Sequence, residues 1–403
     1  MPFYVRRKNF RRFRNFLIAS LIDAVGGVVF LPARLVWFVS GRMGPGGAAR
    51  ERVRRISVVK LDHMGDVLLA TPALHALRER FPGAEITCVA GSWSAPALER
   101  NPDVDRVTVA DAPWYARGGG AGWSDFIRAL KALRLERYDV CVVLRRDVRD
   151  LAVGFACRSG VRVGPAGKGG GFMLTHPVAY EPGLTPVEQN MRITAAVGAA
   201  GGDAKPLVRF SPSAGEKAEK WFRQVGAGGD GLVVGVAPDA GLPVKRWTAE
   251  GWAAVTRHLI EKRDARVIFL GGAGAVDVVN EITARVPRGG FLDISGKTTF
   301  DESAAVVSRL SLLLTLDSAP RHVAAAFSVP AVILQWAATD RDEWRSYADN
   351  QVVVRESVPC DSCGMTRCPY PGVPCMSGIK PGRVIEAAES LLKGVEAGRA
   401  PGE

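Results

Sequence analysis

Residues 56–74 read ISVVKLDHMGDVLLATPAL, and this stretch decides the fold class. The apolar run 56–61 has the length and β-branched content of a strand buried on both faces. It breaks at Asp62-His63-Met64-Gly65-Asp66, and an apolar pattern of helical period starts at Val67. A strand that runs through a glycine turn into a helix sets polar side chains at the carboxyl edge of a sheet, where α/β proteins bind ligands. Gly65 lets another chain or a ligand come close, and Asp66 stands where a carboxylate reaches a substrate. The residues alone leave Asp66 two roles, a general base that needs no metal or a cap on first-turn amides. His63 reads as a turn residue or an acceptor contact.

The same alternation continues outward. Residues 85–90, 106–109 and 138–144 read as strands, with helices at 71–80 and 125–135. Around 201–231 the pattern lapses into Gly, Pro, Ser and charge, interrupted by one helix near 214–224. Strands then return at 232–236, 266–270, 312–316 and 331–334, with helices at 252–262, 275–284 and 301–308. A closing helix at 383–392 has apolar residues at core-packing spacing. The expectation is a segment 1–50, a domain 51–210 and a domain 211–403. Both domains are Rossmann-like doubly wound α/β sheets, facing across a cleft.

A chain of 403 residues is too long for one ordinary core. Its 47% apolar and 23% charged residues exclude a disordered chain. A net charge of +12 calls for an acidic partner. No aromatic RNA-binding signature and no zinc-finger histidine spacing occurs, so nucleic acid ranks below anionic lipid and phosphorylated substrates.

The charge is concentrated at the start, where Arg6, Arg7, Lys8, Arg11, Arg12 and Arg14 precede the apolar run 16–31, FLIASLIDAVGGVVFL. Sixteen helical residues cover about 24 Å, less than a hydrocarbon core of about 30 Å. Asp23, Gly26-Gly27 and Pro32 interrupt the run. The favoured reading is an apolar, amphipathic helical anchor lying in an anionic leaflet. A transmembrane span, a cleaved signal and a helix packed on the protein itself are the alternatives. Residues 41–47, GRMGPGG, read as a flexible linker.

Two further loops follow strand ends. Residues 235–247, GVAPDAGLPVKRW, end a strand in a Gly/Pro loop with two cations, Lys245 and Arg246, before Thr248 opens a helix. That arrangement suits a phosphate. Residues 312–322, LLLTLDSAPRH, end a strand at Asp317-Ser318, and Pro320 then takes an early helical position. The free amides of such a helix start make an anion site. Gly-rich stretches at 117–122 and 164–171 read as surface loops. The second, GPAGKGGG, lacks the Ser or Thr of a phosphate loop after Lys168 and reads as a mobile surface loop, with an acceptor lid carrying Lys168 as the alternative.

Of seven cysteines, Cys88, Cys141 and Cys157 lie in or near apolar runs and read as buried thiols. The odd total fits a reducing compartment. Cys360, Cys363, Cys368 and Cys375 form a compact set. A structural zinc, disulfides and separately packed thiols are three readings of it, none of them catalytic.

Together these sites resemble the heptosyltransferase family, glycosyltransferase family 9, over about residues 54–395. The resemblance rests on VVKLDHMGDVLLATPALHALRERFPGAEI, on the Asp317-Ser318-x-Pro320-x-His322 segment with its alanine-rich helix, and on the cysteine pattern ending in Cys375-Met376. It implies a GT-B fold. It also implies a metal-independent, inverting transfer of a sugar, usually heptose from ADP-heptose, onto the lipopolysaccharide inner core or a related glycolipid. On this resemblance the base matches Asp66, the phosphate-binding lysine Lys245, and the donor site Asp317, Ser318 and His322. Ala319 stands where the family usually has glycine. Ala275 stands where an acidic residue often contacts the nucleoside, with Asp277 near enough to compensate.

The partners expected are therefore an ADP-sugar donor, a lipid-linked oligosaccharide acceptor and an anionic membrane surface, with no nucleic acid. The expected place is the cytoplasmic face of a bacterial inner membrane, peripheral or monotopic. The competing reading is a non-catalytic nucleotide-sugar or glycolipid-binding protein on the same fold.

Overall fold

Each half of the chain forms one parallel six-stranded sheet. The computed structural model describes residues 13–39, 53–115, 122–203, 205–227, 231–346 and 348–399. The linker 41–47, the basic residues before position 13 and most of the glycine stretch 117–122 lie outside them. The chain divides into two compact units, Met1–Ala204 and Lys205–Glu403.

The first unit opens with helices α1 (Phe13–Val29) and α2 (Leu31–Val39). Its sheet follows as β1 (Arg55–Val59), β2 (Glu85–Ala90), β3 (Arg106–Val109), β4 (Val140–Val143), β5 (Val161–Ala166) and β6 (His176–Ala179). Helices α3 (Met64–Leu68), α4 (Thr71–Arg80), α5 (Trp123–Glu136), α6 (Val148–Ala156) and α7 (Pro186–Ala195) complete it. The strand order is β3-β2-β1-β4-β5-β6, with Ile56 opposite Ile86 on one side and Val140 on the other. β1 and β4 lie at the centre, and every residue of β4 is buried. That double-sided burial is why these strands read as continuous apolar runs. Gly154 lets α6 settle on β4: a Cβ there would lie 2.4 Å from a methyl of Val143.

The second unit carries α8 (Pro212–Gln224), β7 (Val233–Ala237), α9 (Ala249–Arg263), β8 (Arg266–Phe269), α10 (Val276–Thr283) and β9 (Phe291–Asp293). There follow α11 (Phe300–Val307), β10 (Leu312–Leu316), α12 (Ala319–Ala326), β11 (Ala331–Gln335), β12 (Gln351–Arg355), α13 (Pro374–Ser377) and α14 (Pro381–Arg399). Its order, β12-β11-β10-β7-β8-β9, is the same winding as in the first unit. Trp252 is fully buried in this core, edge-on to Trp247, whose indole N–H donates to the Ile379 carbonyl (3.1 Å). The closing helix does pack into the core, with Val384, Ala388 and Leu392 buried. Thr185 with Glu188 and Thr299 with Glu302 form capping boxes that start α7 and α11, each fixing two amides that the helix start leaves unpaired.

Both sheets reverse direction at one place, between β1 and β4 and between β7 and β10. That switch point opens a crevice at the carboxyl ends of the strands. One expectation changes here. The stretch 164–171 is not an exposed loop: Gly164 to Ala166 belong to β5, and Gly169 and Gly170 are buried. Helix α1 covers them, since an added Cβ on Gly169 would touch Ala19 at 3.4 Å.

Candidate active site

In the first unit the turn 62–66 leaves β1 at the switch point. His63 is the N-cap of α3, in extended conformation, and Asp66 sits inside the first turn. The His63 N–H donates to Asp62 Oδ1 (3.0 Å), and the N-cap side chain itself makes no capping bond. Asp66, Gly65 and His63 are half-buried, beside the aromatic wall of His63, Tyr115 and Trp93. Trp93 holds the wall in place by donating its indole N–H to the Asp62 carbonyl (2.9 Å). Lys168 is half-buried next to the glycines beneath α1.

The partner strand β4 supplies residues that the sequence reading passed over. Arg145 lies 3.4 Å from Asp62, 3.2 Å from Asp147 and 3.5 Å from Asp150, with its guanidinium 4.3 Å from the Tyr115 ring centre. Lys60 adds an ion pair to Asp62 at 3.3 Å and donates to the Leu144 carbonyl. Burial pushes the Asp62 carboxyl up, but Lys60 and Arg145 outweigh it and hold Asp62 below the usual carboxylate range. Burial raises Asp150 to about 7, partly offset by Arg145. Its Oδ2 is buried with no hydrogen-bond partner. Arg149 pairs with Asp147 at 2.7 Å and lies over Trp114, and Arg146 lies over Tyr180. This network locks the two loops of the switch point together. Its signal was legible: RRDVRD follows the apolar run 138–144 as DHMGD follows 56–61.

The second unit repeats the plan. The loop after β7 ends in a short 3-10 turn, Pro243–Lys245, and α12 follows β10. Lys245 Nζ donates to the Asp317 carbonyl (3.3 Å) and lies 5.7 Å from the Trp336 ring centre. The two loops are therefore joined at the lysine. Arg246 is committed elsewhere, to Asp239 (2.7 Å) and the Gly274 carbonyl (3.2 Å). Of the two loop cations, Lys245 is therefore the one beside the start of α12.

Ser318 is the N-cap of α12 in extended conformation, and its hydroxyl makes no capping bond. Ser318 and Ala319 are half-buried, whereas Asp317 and His322 are buried. Asp317 Oδ1 accepts from Arg321 Nη1 (2.8 Å), so its side chain serves the helix and not an open surface. Burial and the nearby Arg321 lower His322 to about 3, which makes it a neutral imidazole at ordinary pH. The first-turn N–H groups of a helix have no intrahelical partner and carry its positive dipole end. In α12 Pro320 has no N–H and the Arg321 N–H donates to the Ser318 carbonyl (3.1 Å), so the groups beside Lys245 are the N–H groups of Ser318 and Ala319.

Ala275 is fully buried, and a Cβ on Gly271 would lie 2.4 Å from its methyl. An acidic side chain has no room there. Asp277 is exposed on the first turn of α10. Asp239 stands closer to the Gly274 loop, 3.4 Å from where a Cβ on Gly274 would be.

Cys88, Cys141 and Cys157 are buried thiols. Cys360, Cys363, Cys368 and Cys375 line one pocket with Trp336 and Tyr370, and all four are free thiols. Among the described residues no group of three or more His, Cys, Asp or Glu side chains is arranged to hold a metal ion.

Comparison with known proteins places the fold and the family. Residues 126–373 match the model of glycosyltransferase family 9 (heptosyltransferase). That span contains Lys245 and the Asp317–His322 segment and begins after Asp66. The chain is 26% identical over 299 residues to lipopolysaccharide heptosyltransferase 3 of Escherichia coli, covering 72% of this chain and 85% of that one. Its fold is similar to E. coli ADP-heptose lps heptosyltransferase II, with a TM-score of 0.68 at 21% identity, covering 85% and 99% of the two chains. It is also similar to E. coli heptosyltransferase WaaC with ADP-2-deoxy-2-fluoro heptose, with a TM-score of 0.62 at 17% identity, covering 83% and 99%.

Proposed function

The chain belongs to glycosyltransferase family 9, a family of GT-B α/β fold, and we propose that it is an inverting heptosyltransferase of the lipopolysaccharide core that uses ADP-heptose and no metal. Transfer of a sugar from a nucleotide donor is the chemistry of the family. The observation that carries the finer reading is the placement of functional groups at both switch points. The first unit offers a half-buried carboxylate, Asp66, against an aromatic wall. The second offers Lys245 joined to the amino end of α12.

These groups divide the work. Asp66 takes the proton of the acceptor hydroxyl as its oxygen attacks the anomeric carbon from the face opposite the nucleotide. The bond to the diphosphate oxygen breaks and the leaving group gains negative charge. Lys245 and the free N–H groups at Ser318 and Ala319 stabilise that charge, the part a divalent ion plays in other transferases. Arg145, Asp62 and Asp147 fix the loop that carries Asp66 and do not touch the reacting atoms. His322, neutral and buried, supports the helix start. A heptose donor agrees with the ligand named for the WaaC structure. The acceptor is a lipid-linked inner-core oligosaccharide, and the protein works peripherally at the cytoplasmic face of the inner membrane.

The test is a thermal-shift screen of the purified chain against ADP-, UDP-, GDP- and dTDP-sugars, followed by transfer assays. Stabilisation by ADP-heptose, with transfer to a heptose-deficient core, supports the reading. A preference for a uridine or guanosine donor removes the heptose assignment.

A further inference from the structure

Helix α1 is apolar on two sides, and only one of them faces the protein. Along the inner side run Ala19, Asp23, Gly26 and Phe30, spaced four, three and four residues apart, which is one stripe of a helix. Ala19 is buried against Gly169. Asp23 Oδ1 accepts from the Gly170 N–H (2.8 Å), where Gly170 has φ +83°, a conformation open to glycine. Gly26 lies under the Phe172 ring so closely that a Cβ would sit 2.2 Å from it. Phe30 closes the seam on Phe172 and Phe155, with ring centres 5.0 and 5.3 Å away. The one acid in the apolar run is thus turned inward to hold the helix on the first unit.

Among the described residues the outer side has no such partner. Of the sixteen exposed large apolar side chains among the described residues, ten fall within residues 17–39. Leu21, Val25 and Val28 of α1 and Leu35, Val36 and Val39 of α2 are 56–79% exposed. A contiguous apolar surface of this kind marks an interaction site.

Charge selects the occupant. Residues 1–50 contain nine Lys or Arg and one acid, Asp23, which the seam consumes. Two copies meeting through this face would bring two such cationic segments together, whereas an anionic lipid surface neutralises them. Helix α1 has 17 residues, about 25 Å, and no described helix is long and apolar enough to cross a membrane.

We propose that α1 and α2 form a monotopic docking face for an anionic phospholipid bilayer, clamped to the first unit by Asp23 at Gly170, so that bilayer contact fixes the segment carrying Lys168. The inference rests on the peripheral placement proposed above, and its test needs neither donor nor acceptor.

The full chain is floated with vesicles of phosphatidylethanolamine and phosphatidylglycerol, and separately with phosphatidylcholine alone. Binding to the anionic vesicles, weaker on the neutral ones, is expected. Leu21→Asp combined with Val25→Asp and Val28→Asp lowers the bound fraction at least about ten-fold, while the thermal shift given by ADP stays unchanged. Asp23→Ala keeps vesicle binding but opens residues 167–173 to limited proteolysis. Failure of the wild type to bind anionic vesicles overturns the proposal. So does undiminished binding by the triple variant, or a stable oligomer that the triple variant abolishes without any lipid binding. An absent ADP shift in every variant, with vesicle binding intact, counts against the assigned reaction and leaves the docking face standing.

Discussion

Replacing Asp317 by Asn tests whether this residue supports the fold or touches the donor. Asp317 Oδ1 and Arg321 Nη1 are 2.8 Å apart, and both side chains are almost fully buried, 4% and 1% exposed. Arg321 otherwise reaches the Arg345 carbonyl at 2.8 Å and Gln351 Oε1 at 3.4 Å, both neutral acceptors. Asp317→Asn replaces the charged partner of a buried guanidinium by a neutral one. Removing one partner of a buried pair costs about 3–5 kcal/mol. The Asn carbonyl still accepts a hydrogen bond, so the lower end, about 3 kcal/mol, is expected. For a unit of this size that is a fall in Tm of about 6–12 °C. Burial pushes the Asp317 carboxyl up, but Arg321, Lys245 and His322 outweigh it and hold it below the usual range. Its stabilisation is therefore present above that range and is lost as the pH falls through the lowered pKa. The gap between variant and wild type should narrow in acid. Circular-dichroism melts across pH measure it. A double variant, Asp317→Leu with Arg321→Met, should recover much of the loss, because an apolar pair carries no uncompensated charge. A Tm change below about 2 °C, with ADP binding abolished, would refute this reasoning and make Asp317 a donor contact.

Lys245→Ala should lower kcat/KM for the donor about 100-fold by removing a cation from the leaving group. Arg246→Ala should instead loosen the 239–274 clasp and cost stability, and steady-state kinetics with melts separate the two. Asp150 has a carboxyl raised to about 7 from an ordinary 3.8, so the folded state retains a proton that the unfolded state releases. Stability should fall as pH rises through that window, by up to about 4 kcal/mol, and Asp150→Asn should flatten the decline in urea midpoints. Chelation with EDTA should leave the transfer rate unchanged, and a loss restored by magnesium would contradict metal-independent chemistry.

The parts legible in the sequence share one physical cause. β1, β4, β7 and β10 lie at sheet centres, buried on both faces, so each shows as an apolar run ending in a polar turn. The turns after β1, β7 and β10 carry the candidate site for the same reason. The edge strand β3 was still read, but two other edge strands gave no such signal: β6 contains Pro177 and alternates in burial, and β9 has three residues. Proline is tolerated at an edge, where one side of the ladder is unpaired. β5 was hidden because Gly164 and Pro165 read as loop, yet Gly164 is buried in the sheet against Val143. Asp23 looked like a flaw in an apolar segment, and only the fold supplies its partner, 147 residues away. The Asp317 side chain is another case, since only the fold shows its pairing with Arg321.

Single-turnover transfer by Asp66→Asn asks whether Asp66 removes the acceptor proton. The chemical step should slow by about 100- to 10,000-fold, with ADP affinity and Tm unchanged. A transfer rate within about three-fold of wild type, well inside what a missing general base would cost, would contradict it.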